Sequence, residues 1–477
     1  MQRRTKIVTT LGPATDDPQI LEQLLLAGAN VVRLNFSHGD PDDHRRRVAQ
    51  VQALATKHKL NIGILGDLQG PKIRVARFEN GSVTLENGET IVLDSQWPRD
   101  KGTAERVGVD YEDLAKDCQV GDTLLLDDGR IVFEVTERTD STLTCQIISG
   151  GTLSNHKGIN KQGGGLSAPA LTDKDLVDIQ LAAELDVDFL AVSFPRTPDD
   201  LNQARTLHAK AGGNALIVAK IERAEVVECD EALDAMLEAA DVIMVARGDL
   251  AVEIGDPALA GAQKHMVKRA RMLGVPVITA TQMMESMIEQ PSPTRAEVMD
   301  VANAVIDGTD AVMLSAETAS GQYPVETVQS MSAVIQGAER YYHRIKKNYG
   351  LERQSGAIDE AIAMAAVYTA HHFDDLKALV CLSESGNTPK LMSRVVADLP
   401  LFAFVRHAKI ARRVSVLRGV RPVIFEPSAV WAEVFQATCH CLKAEHGYQV
   451  GDKVLITKGD AVNVGGGTNT LKLLEIT

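Results

Sequence analysis

Short continuous apolar runs ending in polar or ionic residues recur along the first 320 residues. In order they are TKIVTT, NVVRLNFS, NIGILGDL, DFLAVSF, ALIVAKIE, DVIMVARGDL, PVITATQM and AVMLSAET, and stretches of helical periodicity separate most of them. A continuous Val/Ile/Leu run marks a parallel strand that is covered on both faces. Eight such strands alternating with helices predict an α/β fold, a (β/α)8 barrel, whose active site lies at the C-terminal ends of the strands. The residues at those ends are Arg33, Asn35, Ser37, Asp67, Ser193, Lys220, Glu222, Arg247, Asp249, Thr281, Ser315 and Glu317. Cations, carboxylates and hydroxyls gathered at one mouth suit an anionic, metal-bound substrate.

The barrel pattern breaks between Leu68 and about Leu171. There the chain alternates with a period of two and is rich in turn pairs: Asn80-Gly81, Asn87-Gly88, Gly121-Asp122 and Asp128-Gly129. LLLDDGRIVFEV predicts a hairpin with Asp128-Gly129 in a type I′ turn. An all-β domain inserted after the third barrel strand, returning through Gly163-Gly164-Gly165, would hang over the mouth as a lid. Asp256-Pro257 reads as an N-cap followed by proline, and Thr294-Arg295-Ala296-Glu297 as a capping box. After Gly350 strands and helices restart: IDEAIAMAAVYTAHHF, ALVCLS, LFAFV, RPVIF, KVLITKG and TLKLLEI. The expected division is barrel over 1–70 and 172–345, inserted β lid over 71–171, and a C-terminal α/β regulatory domain over 346–477.

At 477 residues more than one core is expected. The net charge of −14 disfavours non-specific nucleic-acid binding. No apolar run approaches the length of a membrane span, and Arg3-Arg4 lead into a strand rather than a signal core. A cytoplasmic protein without membrane or nucleic-acid partners is expected. The six cysteines are scattered, and Cys439-His440-Cys441 does not put its members on one helical face, so neither a disulfide framework nor a zinc site is expected.

Lys220 and Glu222 are two apart at the end of the fifth strand, so both point into the mouth. Arg247-Gly248-Asp249 closes the sixth strand, with Gly248 allowing close ligand approach. Glu222 and Asp249 form a two-carboxylate site suited to Mg²⁺. Arg33, Asn35 and Ser37 share one parity, Asp67 ends the third strand, and Arg74 follows Gly70-Pro71. Arginine forks near one carboxylate fit phosphate oxygens. Thr281 and Ser315 offer hydroxyls to a small carboxylate or a proton relay. Ser193 reads as a packing or hydrogen-bonding residue. There is no Walker A motif, and the Gly-rich stretch Gly66 to Lys72 resembles a phosphate loop only superficially. In the C-terminal domain Ser383, Glu384, Ser385, Gly386, Asn387 and Thr388 sit between a strand and a helix as an anion cradle.

With these residues in hand, the chain resembles the pyruvate kinases over nearly its whole length. The matching stretches are TKIVTTLGPAT, VVRLNFSHG, GDLQGPKIRV, VAKIER, VARGDLAVEI, ITATQMMESM, PTRAEVMDVANAV and DGTDAVMLSAETA. The resemblance implies a barrel, a β lid and a regulatory domain, and transfer of the phosphoryl group of phosphoenolpyruvate to ADP, giving pyruvate and ATP. By motif it implies Mg²⁺ (or Mn²⁺) on Glu222 and Asp249, with Gly248 and Thr281 at phosphoenolpyruvate or pyruvate. Lys220 would stabilise the transferring group and Arg33 its phosphate. Asn35, Arg74 and Lys157 would serve the nucleotide, and Thr281 and Ser315 would relay the proton to the enolate. A cytoplasmic homotetramer activated by a sugar phosphate or AMP at the Ser383 to Thr388 loop is also implied.

The sequence departs from many members at two positions: Lys72 stands where they carry Glu, and Leu68 where they carry Thr. Those members hold K⁺ at positions matching Asn35, Ser37 and Asp67, so no K⁺ requirement is expected here. Two rival readings are a Mg²⁺-dependent keto-acid aldolase or lyase barrel and a catalytically inactive metabolite sensor. The first would not need the lid, Arg74 or Lys157, and the second would not need the full ionic set.

Overall fold

Alternation within the apolar runs builds the barrel. In the computed structural model, which describes residues 3–342, 356–394, 399–426, 431–460 and 467–477, Ile7, Val32, Ile64, Leu190, Ile217, Ile243, Val277 and Val312 pack outward against the helices. Their neighbours Val8, Val31, Leu65, Ala191, Val218, Met244, Ile278 and Met313 fill the barrel interior. Both faces are buried, which is why these strands read as unbroken hydrophobic runs. The strands are Lys6–Thr10, Val31–Asn35, Gly63–Asp67, Phe189–Val192, Leu216–Ile221, Val242–Ala246, Val277–Ala280 and Ala311–Leu314. All neighbouring pairs are parallel, and the last strand closes on the first. The interior parity continues beyond Val31, Leu65, Ala191, Val218 and Met313 to Arg33, Asp67, Ser193, Lys220 and Ser315, so the sheet register carries these side chains to the mouth.

The inserted sheet has six strands in the order Ile159–Lys161, Thr123–Leu126, Ile131–Arg138, Thr142–Ser149, Thr90–Asp94 and Arg106–Gly108. A two-stranded sheet, Gly151–Ser154 with Ser82–Leu85, accompanies it. The expected hairpin forms, but its turn differs. Leu126 pairs with Ile131, so the loop is Asp127 to Arg130. Asp127, Asp128 and Gly129 all take positive φ, at 50°, 56° and 83°. A two-residue type I′ turn is displaced because Asp127 is held by partners outside the hairpin. Its carboxylate pairs with Lys157 at 2.6 Å, and its N–H donates to Gly158 O.

Helix ends show one shift of register. The helix Asp256–Leu273 has Gly255 as its cap, at φ 84°, with Asp256 its first residue. Gly255 is also the cap that ends the preceding short helix, so Asp256 cannot serve as N-cap. The box at Thr294 and Glu297 is as expected, and Thr294 Oγ1 accepts from Glu297 N at 3.3 Å.

The C-terminal sheet runs Val420–Ile424, Leu401–Val405, Leu376–Leu382, Lys453–Gly459 and Thr468–Glu475, the last strand antiparallel to its neighbour and the others parallel. Its core is continuous with the barrel interior through Val414, Val416 and Leu417, so this domain plugs the N-terminal end of the barrel. The expected boundary at 345/346 lies outside the described residues.

Candidate active site

Lys220 is the centre of the mouth. Its ammonium donates to Ser193 Oγ at 2.7 Å and lies 3.0 Å from Glu222 Oε1 and 3.4 Å from Asp67 Oδ1. Burial works against its charge, but Asp67 and Glu222 outweigh it and push the group up to about 12. Lys220 therefore carries a fixed positive charge in a nearly dry site, where Coulomb terms are strong.

Arg33 donates through Nε to Asp67 Oδ2 at 2.6 Å and through Nη1 to Thr10 Oγ1 at 3.0 Å. Burial would raise the Asp67 carboxyl, yet Lys220 and Arg33 hold it below the usual range. Its Oδ1 is buried and has no well-formed hydrogen bond, the 3.4 Å approach of Lys220 being poorly aligned. Glu222 is the opposite case. Burial and the nearby Asp249 charge raise it, against the pull of Lys220 and the N–H of Phe194, which donates to Oε2 at 2.8 Å.

The sixth strand stops at Ala246, so Arg247-Gly248-Asp249 is not a strand end. It opens a short helix, Arg247–Ile254. Three residues cannot reveal a period, and the turn matters: it brings the Gly248 N–H against the loop that carries Thr281. Gly248 N donates to Thr281 Oγ1 at 2.9 Å, and that hydroxyl in turn donates to Ala280 O. Thr281 holds φ 67° and Phe194 φ 52°. Positive φ in a β-branched or bulky residue is strain that surrounding structure must enforce, and such strain clusters at functional sites.

Two residues expected at the mouth are scaffold instead. Buried Arg247 donates to Ala280 O at 3.1 Å and to Asp300 Oδ1 at 2.7 Å, fixing the loop that carries Thr281. Buried Glu317 accepts from Ser315 N at 2.6 Å and Met284 N at 3.2 Å. Ala280, Asp300 and Met284 come from other elements, so no local signal distinguishes the two from mouth residues. Ser193 behaves as expected, accepting from Lys220 and donating to Leu68 O at 2.7 Å.

Asn35 and Ser37 sit where the second strand ends. Asn35 Oδ1 accepts from Ser37 N at 3.1 Å, and Asn35 pairs with Asp67 in register. Arg74 and Lys157 lie on the lid base and are brought together by the bridge between Arg74 and Gly158. Lys72 reaches across to the barrel, 3.5 Å from Asp249 Oδ1. Sequence reasoning missed Lys174, whose ammonium donates to Phe36 O at 2.6 Å beneath the Asn35 to His38 turn. It also missed Asp175, legible only as the fourth residue of the box Thr172-x-x-Asp175.

In the C-terminal domain the loop 383–388 is partly self-capped. Gly386 N donates to Ser383 Oγ at 3.1 Å and Asn387 N to Ser385 Oγ at 3.4 Å. Thr388 is turned inward, its hydroxyl 2.7 Å from that of buried Thr468. Ser385 and Asn387 remain exposed. The Cys439-His440-Cys441 trio forms no metal cluster among the described residues. Cys441 instead lies near Glu445 and His446 on the same helix, the latter two exposed.

An eight-stranded barrel with a buried Lys–Glu–Asp–Arg network at its mouth and a β insertion above it defines a phosphoryl-transferring barrel enzyme. The family model "Pyruvate kinase, barrel domain" matches residues 2–328, and "Pyruvate kinase, alpha/beta domain" matches 360–474. The chain is 53% identical over 476 residues to pyruvate kinase II of Salmonella typhimurium, covering 99% of each. It is 53% identical over 457 residues to the pyruvate kinase of Haemophilus influenzae, covering 96% of each. A solved pyruvate kinase from Cryptosporidium parvum superposes with a TM-score of 0.91 at 32% identity, over 100% of this chain and 97% of that one. The chain belongs to the pyruvate kinase family, glycolytic kinases that take phosphoenolpyruvate and ADP to pyruvate and ATP. The aldolase and inactive-sensor readings find no support.

Proposed function

We propose that Lys220 is the residue around which phosphoryl transfer is organised. The reaction breaks the bond between phosphorus and the enol oxygen and forms one to a terminal oxygen of ADP. Its difficulty is charge and alignment rather than covalent chemistry. The carrying observation is an ammonium held charged by Asp67 and Glu222 and aimed into the mouth. Arg33, fixed by Asp67, contacts the phosphate. Gly248 N–H and Thr281 hold the substrate carboxylate. Asn35, Arg74 and Lys157 serve the nucleotide, with 71–171 as the lid that brings the last two over the mouth. Thr281 and Ser315, through water, pass the proton to the enolate carbon.

Glu222 and Asp249 fit a hard divalent cation such as Mg²⁺ or Mn²⁺. Burial and the Asp249 charge push Glu222 up. A dication between them would relieve that repulsion and supply charge neutralisation for substrate oxygens. K⁺ is not required in this reading, because Lys72 brings a resident cation to the lid base. A cytoplasmic homotetramer is the assembly proposed. A sugar phosphate or AMP is the effector class proposed for the 383–388 loop, with Ser383, Ser385, Gly386, Asn387 and Thr388 shaping it.

The test is pyruvate formation coupled to ADP. The reading requires activity that depends on ADP and on a divalent cation, and an Asp249→Ala protein that stays folded while losing Mg²⁺ binding by calorimetry and turnover. Phosphoenolpyruvate consumption without ADP, or Asp249→Ala turnover with unchanged Mg²⁺ dependence, would overturn it.

A further inference from the structure

The lid joins the barrel at two crossings, and both meet one carboxylate. Asp175 is fully buried in the first turn of the helix Asp173–Glu184, which starts where the chain re-enters the barrel. Its two oxygens have separate partners. Oδ2 accepts from Thr172 N at 2.9 Å and Thr172 Oγ1 at 2.6 Å, the local capping box. Oδ1 accepts from Gly70 N at 3.2 Å, across 105 residues, on the outgoing crossing. A capping box needs only the first set of bonds. The second ties the outgoing hinge to the returning one.

Gly70 transmits its position in two directions. Pro71 has no N–H and a fixed φ, and Lys72 N donates to Gly70 O at 2.9 Å, closing a tight turn over Pro71. Gly70 therefore sets where Lys72 starts, and Lys72 reaches Asp249 at 3.5 Å. On its other side Gly70, at φ 68°, has no room for a side chain: a Cβ would sit 2.7 Å from Ser193 Cβ. Ser193 accepts from Lys220. The path Asp175, Gly70, Ser193 and Lys220 is contiguous, and so is the path Asp175, Gly70, Lys72 and Asp249.

We propose that Asp175 is a positioning residue for phosphoryl transfer: a clasp between the two lid hinges that holds Lys72 and Arg74, and with them the nucleotide, in register with the barrel mouth. It touches no substrate and acts through Gly70. This rests on the proposed assignment of Arg74 and Lys157 to the nucleotide.

Asp175→Ala is compared with Thr172→Ala in the full-length enzyme. Thr172→Ala weakens the helix cap but leaves the Gly70 bond. Asp175→Ala is expected to lower kcat about tenfold and raise the KM for ADP about fivefold, with the KM for phosphoenolpyruvate changed less than about twofold, as for a hinge lesion. Thr172→Ala should share part of the loss of thermal stability and none of this kinetic bias. Hydrogen exchange of the peptide containing Gly70 should speed up in Asp175→Ala alone. If that variant fails to fold, Asp175→Asn keeps one acceptor oxygen for the Thr172 cap and sets an amide NH2 against Gly70 N, so it loses the same contact and should show the same bias toward ADP. Unchanged Gly70 exchange, or equal losses for both substrates, would overturn the clasp. An unchanged KM for ADP in Arg74→Ala would instead remove the nucleotide assignment beneath it.

Discussion

At the N-terminal ends of the barrel strands, buried Asp310 accepts from Arg394 Nη1 at 2.7 Å, Arg418 N at 3.0 Å and Val277 N at 3.0 Å. Asp188, also at that end, accepts from Arg412 Nε and from Ile64 N at 2.9 Å. At the C-terminal ends the same residue types meet, but the set is left incomplete. Asp67 Oδ1 has no well-formed hydrogen bond, and Asp249 has Lys72 only at 3.5 Å. The closed pairs join barrel to C-terminal domain. The open set is the one to which the proposed function assigns the substrates and the dication. Satisfied buried polar groups are scaffold, and each unsatisfied one asks for an explanation.

The sharpest break would come from exchanging the two roles. Asp310→Ala leaves Arg394 buried without its carboxylate, and breaking a buried pair this way costs about 3–5 kcal/mol. Calorimetry should show that loss, with turnover per folded molecule unchanged. A loss below about 1 kcal/mol would mean that the two ends do not differ as described. At the mouth, Lys220→Met should lower kcat at least 100-fold, about 2.7 kcal/mol, while altering KM far less, since the charge matters most in the transition state. A variant keeping more than about a tenth of kcat would deny Lys220 that role.

Much of this contrast was legible in the chain. Runs buried on both faces gave the barrel, and the parity of Lys220 with Glu222 and of Arg33 with Asn35 put those side chains inward. What local pattern could not give was the partner. Arg247 and Glu317 have the composition of mouth residues and become scaffold through Asp300 and through the N–H groups of Met284 and Ser315. Arg247-Gly248-Asp249 was too short to reveal helix against strand. Asp175 carries a local signature for its cap and none for Gly70, because a contact across 105 residues leaves no trace in a capping box. Likewise nothing local to Thr388 announces Thr468, 80 residues away, whose hydroxyl lies 2.7 Å from its own.

Lys6 sharpens the picture of the closed end. Its ammonium is buried there and donates to Val420 O at 2.5 Å. Burial first, then Arg3 and Arg421, lower it to about 7 from an ordinary value of 10.5. A depressed base binds its proton more readily in the unfolded chain, so its cost is full below pH 7 and fades as pH rises toward 10.5. Lys6→Met should therefore stabilise the protein by about 1–3 kcal/mol below neutral pH, as apolar replacement of a buried charge often does. The advantage should shrink toward alkaline pH. Urea titrations of both proteins across that range measure the difference, and an advantage that grew with pH would reverse the assignment.

The smallest effect probes the lid's side of the open end. Lys72 pairs with Asp249 at 3.5 Å, a third exposed, on the turn that Gly70 and Pro71 set. Its ammonium is a cation already in place beside a mouth rich in carboxylates. Lys72→Glu changes the local charge by two units and sets a carboxylate near Asp249, a repulsion that a monovalent cation would relieve. The unmodified enzyme should work in a tetramethylammonium buffer, and KCl at constant ionic strength should change its initial rate less than about twofold. Lys72→Glu should be slow in the same buffer and recover on the order of tenfold with KCl, about 1.4 kcal/mol of barrier. Folding is monitored by unchanged circular dichroism. Strong K⁺ activation of the unmodified enzyme would show that Lys72 does not stand in for the ion, and K⁺-insensitivity of both proteins would show that charge at this position is not what sets the requirement.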